Sequence, residues 1–181
     1  MSIAVVVAPE VIVAGAVRID ADLLQFPAVP PPTGRNTVDV LGTFVRDTYG
    51  DFRLVLSADI VVQSIQAVAT IYDFDFEHRE QLLGELSRLV HLRGGVFVRP
   101  ESGIQFPSTM DAGARATLEC AAAQALGHPR TVIVVTENEK SLRGGNWRPA
   151  GIAWDRESHV QILSPHEFNA FVEEVRRRRR P

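Results

Sequence analysis

The sequence holds one cysteine, Cys120, so the chain has no means of forming an internal disulfide. Stability must then come from a packed core, and the scarcity of thiols fits a reducing compartment, with a cytoplasmic location as the expectation. Cys120 itself lies in the apolar run Leu118–Ala123, where it reads as a small buried hydrophobe. An excess of charge is also missing: the formal net charge is -3, which gives no global attraction to nucleic acid. The histidines at 78, 91, 128, 159 and 166 lack the HxxxH or HxH spacing that zinc would require. No P-loop, dinucleotide fingerprint or nucleophile elbow is present, since Gly94-Gly95 and Gly144-Gly145 lack the necessary spacing. Internal repeats are absent as well.

What is present is an ordinary globular mixture, 45% apolar and 23% charged over 181 residues, which excludes wholesale disorder and gives no reason to expect a membrane partner. Met1–Val17 is apolar but has no basic n-region and carries Pro9 and Glu10 in its middle, so it reads as a buried strand entering a helix or turn. The length fits a single domain over residues 1–175, followed by a basic C-terminal tail over 176–181. The tail contains the run Arg176–Arg180, read as a solvated segment or, alternatively, as a flexible arm that contacts phosphates or an acidic partner.

Periodicity assigns strands to Ile3–Val7, Phe52–Leu56, Val96–Val98, Thr131–Thr136 and Gln161–Leu163. Helical spacing covers Val38–Tyr49, Ala58–Tyr72, Phe76–His91 and Asp111–Leu126, with Leu82, Leu83, Leu86, Leu89 and Val90 as the apolar stripe of the third. Ser57 is placed to cap the second of these helices. The proline-rich segment Phe26–Gly34 and the Gly-rich segment Arg143–Pro149 read as loops. Ser164-Pro165-His166-Glu167 carries a capping-box signature that opens a final helix with Phe168, Phe171, Val172 and Val175 facing inward. Alternating strands and helices imply an α/β fold whose mostly parallel central sheet is covered by helices on both faces.

Three segments, in this order, resemble the PIN-domain family, including the VapC type of toxin ribonuclease: Val5–Val13, Leu54–Ile60, and Val134–Asn138 with Ile162–Phe168. The resemblance spans nearly the whole chain and implies a PIN-like α/β/α sandwich. It further implies a site of three or four carboxylates at the carboxyl ends of the central strands, holding magnesium or manganese to activate water against a phosphodiester. Here the matching positions have changed. The first aspartate falls on Ala8, the second acid on Gln63 and the third on Arg115, while the fourth region keeps Thr136 and has Asn138, as some relatives do, but Ser141 where those relatives carry an aspartate.

The remaining candidate acids are Glu10, Asp59, Asp111 and Glu137, with Glu139 beside the last. A metal site would need Glu10, Asp111 and Glu137 or Glu139 to converge. Each has a structural alternative: Glu10 as a solvated first-turn residue, Asp59 as a favourable charge at a helix N-terminus, Asp111 as an N-cap. The loop holding Arg143, Trp147 and Arg148 combines guanidinium groups with an aromatic ring, a set suited with Arg115 to stacking on a base and gripping phosphate. Its alternative is a glycine turn with Trp147 packed inward.

The replacement of carboxylates by Ala8, Gln63 and Arg115 makes the expected function that of a catalytically degenerate PIN-like protein, a pseudo-nuclease that binds RNA, single-stranded nucleic acid or a protein partner and needs no cofactor. One alternative is a toxin-like ribonuclease using displaced acids with magnesium or manganese. Another is a structural or inhibitory protein-interaction module. The resemblance also implies a homodimer.

Overall fold

A computed structural model describes residues 2–19, 35–72, 75–92, 94–100, 105–127, 131–144 and 160–179. Its centre is β1 (Ile3–Val7), whose β-branched residues are buried on both faces because helices cover the sheet on either side. β1 pairs in parallel with β2 (Phe52–Ser57) on one flank and β4 (Val132–Val135) on the other. β3 (Val96–Val98) and β5 (Val160–Leu163) complete a wholly parallel sheet in the order β3-β2-β1-β4-β5. The α/β sandwich expected from the alternation of elements is therefore present, with every strand pair parallel.

Parallel neighbours need crossovers, and the helices supply them. α1 (Pro9–Ile19) and α2 (Arg35–Arg46) lie between β1 and β2, and α3 (Ala58–Tyr72) and α4 (Phe76–Leu92) between β2 and β3. α5 (Ala112–Gly127) runs back across all five strands to reach β4. The short α6 (Glu139–Gly144) precedes β5, and α7 (Pro165–Arg179) closes the described chain against α2.

Local chemistry sets most of the boundaries. Ser57 Oγ accepts the Ile60 amide at 3.3 Å, and Asp111 Oδ1 accepts the Ala114 amide at 2.9 Å, so both act as N-caps. At α7 the capping box is reciprocal: Glu167 Oε2 accepts the Ser164 amide at 2.8 Å and Ser164 Oγ accepts the Glu167 amide at 3.2 Å. α2 starts and stops three residues earlier than its apolar spacing implied, because Asp47 is turned inward to accept the Phe52 amide at 2.8 Å and thereby ends the helix.

Two expectations are corrected. Arg176–Arg179 do not form a tail; they are the last turn of α7, where cations favour the helix dipole. Arg176 pairs with Glu173, Arg178 with Glu174, and Arg179 with the buried Asp51, over the Tyr49 ring. Arg143 and Gly144 likewise belong to α6 and not to a loop, while residues 145–149 lie outside the described residues. Arg180, Pro181 and the proline-rich stretch after Phe26 lie outside them too. No helix among the described residues is long and apolar enough to cross a membrane.

Candidate functional site

In an open parallel sheet, ligands meet the crevice at the carboxyl ends of the strands, where the chain reverses its direction of travel across the sheet. In this order of strands that point lies between β1 and β4. β1 delivers Ala8 there, buried, its amide donating to Val135 O at 3.0 Å and its carbonyl accepting the Val11 and Ile12 amides to start α1. Two residues on, Glu10 faces β4. Its Oε1 accepts the Thr136 hydroxyl at 2.7 Å and the Glu137 amide at 3.2 Å.

Glu137 is engaged in turn, because the hydroxyl of Thr37, on the first turn of α2, donates to its Oε1. Asn138 is exposed and donates its amide to Thr136 Oγ1 at 3.1 Å, and Ser141 is exposed on α6. The N-terminus of α5 abuts this crevice: a Cβ on Gly113 would lie 3.3 Å from both Pro9 Cγ and Asp111 Oδ1. Glu10 and Glu137 are thus brought together, with Asp111 nearby but committed to capping α5.

Asp59 lies elsewhere. It opens α3 and faces Glu119 and Arg115 on α5. Burial, reinforced by the Asp59 carboxylate, raises the pKa of Glu119, and the Arg115 guanidinium partly offsets this. Arg115 is exposed and reaches back to Met110 O at 3.3 Å. Gln63 is half-buried one turn after Asp59, on the same side of α3. Cys120, fully buried beside Ser57, has its thiol pKa pushed far up by desolvation, which makes it a packing group and not a nucleophile.

A divalent cation needs several convergent oxygen ligands. Among the described residues no three His, Cys, Asp or Glu side chains are grouped closely enough to hold one. The acids of the crevice do not fit the metal that the resemblance implies: Glu10 and Glu137 are acceptors in a hydrogen-bond chain, and Ala8, Gln63 and Arg115 supply no carboxylate. This assigns Glu10 a bridging role between α1 and the end of β4. Glu10→Ala should lower unfolding stability by about 1–2 kcal/mol, and Glu10→Gln, which keeps the acceptor oxygen, by less than about 0.5 kcal/mol, as read by urea denaturation.

Of the expected nucleic-acid set, Arg143 is engaged within the protein. Arg143 donates from Nε to Ile162 O at 2.8 Å and pairs through Nη2 with Glu167, which ties α6 to β5 and α7. Trp147 and Arg148 lie outside the described residues. The contact with Arg143 holds the Glu167 carboxyl below its ordinary pKa. A carboxylate with a depressed folded pKa stabilises above its unfolded value, about 4.3, and loses that contribution as pH falls through the folded one. Arg143→Met should therefore lose less thermal stability than the parent between about pH 6 and pH 3, as followed by circular dichroism.

A second concavity, of about 710 Å³, lies beside β3. Val61, Val62 and Ile65 of α3, Leu83 of α4, and Phe97 and Val98 of β3 form its walls, and Arg99 supplies the one charge among the described residues that line it. Leu83 was expected in the core, yet it is 43% exposed, because Leu82, Leu86, Leu89 and Val90 already fill the buried face of α4. Val62 and Phe97 are 47% and 43% exposed. Sequence reasoning missed this groove and also Thr37 and Glu119. Only Glu119 left a local trace, its i,i+4 spacing from Arg115. Neither a protein-family model nor a curated protein matches the chain.

Proposed function

We propose that this protein keeps a PIN-like scaffold without efficient phosphodiester hydrolysis and acts by binding, with a protein as its partner. The observation that carries this reading is the use of both acids at the strand switch point as structural acceptors, Glu10 for Thr136 and Glu137, and Glu137 for Thr37. In each carboxylate Oε1 is taken up by protein donors, which reduces what it can offer a cation or a water.

A protein partner is favoured over RNA by the cations. Arg143 is fixed to Ile162 and Glu167, which leaves Arg115 as the exposed member of the expected phosphate-binding set among the described residues. Phosphate recognition needs several cations at once, whereas among the described residues this end of the sheet carries the acids Glu10, Asp59, Asp111, Glu119 and Glu137. The apolar groove beside β3 suits a protein surface better.

The test is isothermal titration of manganese into the full chain, with cleavage of a mixed single-stranded RNA measured under the same conditions. The expected result is neither stoichiometric metal binding nor cleavage. Metal binding with cleavage abolished by Asp111→Ala or Glu10→Ala would instead establish a relocated nuclease site and sink the proposal.

A further inference from the structure

We infer that the groove beside β3 receives an extended, apolar protein segment that carries a carboxylate and lies along the β3 edge. The inference rests on the binding reading above and names the partner's chemistry. Among the described strands, β3 lies at the end of the sheet and pairs with β2 alone. An edge strand in a parallel sheet turns the N–H and C=O groups of alternate residues outward, a template for one further strand. Pro100, which lines the groove, ends this edge soon after Val98, so the added pairing is short and the side chains must supply most of the affinity.

The walls are built for that. The side of α3 carrying Val61, Val62 and Ile65 stands over Phe97 and Val98, and Leu83 closes the far wall. The volume of about 710 Å³ falls within the range of roughly 300–1,000 Å³ typical of ligand clefts. A strand presents alternate side chains to one face, so a segment paired with β3 would place every second residue against these walls. Charge sets the remaining requirement. Arg99 is exposed at the groove and takes part in none of the ion pairs found among the described residues. A guanidinium at the rim of an apolar cleft selects for a carboxylate and against a cationic segment.

A phage-displayed library of random short peptides, panned on the full chain, tests this, with affinities of selected peptides measured by fluorescence anisotropy. The expected peptides alternate apolar residues and carry at least one carboxylate. Val62→Asp and Arg99→Glu change exposed side chains, and unaltered melting curves would show that both variants fold. Val62→Asp should weaken binding about tenfold or more and Arg99→Glu about threefold or more, with binding to Arg99→Glu restored when lysine replaces the peptide's carboxylate. Failure to enrich any peptide, selection of basic peptides, or affinity unmoved by Val62→Asp would overturn the inference. So would a dimer in sedimentation velocity that Val62→Asp dissolves, because the occupant would then be a second copy. RNA cleavage by a protein that still binds these peptides through Val62 would sink the pseudo-nuclease reading alone.

Discussion

Gly95→Ala is expected to cost about 3 kcal/mol or more of folding stability, enough to deplete the folded protein at ordinary growth temperature. A Cβ at this position would stand 2.2 Å from Leu54 O and 2.5 Å from Val90 O. Both are backbone atoms, one in β2 and one in α4, so no side-chain rotation relieves the overlap. The same residue donates its amide to Val90 O at 2.8 Å, which holds the exit from α4 against the entry to β3. Separating them would detach the edge strand and open the groove. Its neighbour gives the control: Gly94 has φ +64 in open space, so Gly94→Ala carries only the left-handed penalty of about 1–2 kcal/mol. Urea denaturation of the two variants measures the contrast, and equal midpoints would refute the steric account.

Phe168→Ala should be comparably damaging, with a loss of about 3–5 kcal/mol. Phe168 is fully buried on α7 and touches two other core rings, Phe44 of α2 at a centroid distance of 6.4 Å and Phe52 of β2 at 5.9 Å, the latter edge to face. Truncation would leave a void bounded by three separate elements that are also tied elsewhere: Asp47 to Phe52, Arg179 to Asp51, and Arg143 to Glu167. Those ties limit collapse into the void and keep the cost near the upper end. Phe168→Leu, which keeps most of the volume, should lose about 1 kcal/mol. A thermal midpoint for Phe168→Ala within a few degrees of the parent would show that α7 is dispensable to the core.

Much of the fold was legible because its signals are local. The valines of β1 and β4 announce strands buried on both faces, and Ser57, Asp111 and the Ser164–Glu167 pair announce helix starts through hydrogen bonds that span only a few residues. The site was less legible. Asp111 as an N-cap was one of two readings of the same residue, and only the bond to Ala114 chose between them. Arg143 reads as suited to phosphate because Trp147, Arg148 and flexible glycines stand beside it in sequence, yet α6 carries it to Ile162 O, nineteen residues ahead in the chain.

By itself the sequence determined the kind and order of most elements, α6 excepted, and the burial of Cys120. Each depends on residue identity and near neighbours. Only the tertiary structure decided the strand order, the bonding of Glu10 to Thr136 across 126 residues and of Thr37 to Glu137 across 100, and the exposure of Leu83 beside Phe97. The physical reason is common to all three. A hydrogen-bond partner or a covering side chain is supplied by whichever element packs alongside, and that choice belongs to the burial of the whole core and not to any local stretch of chain.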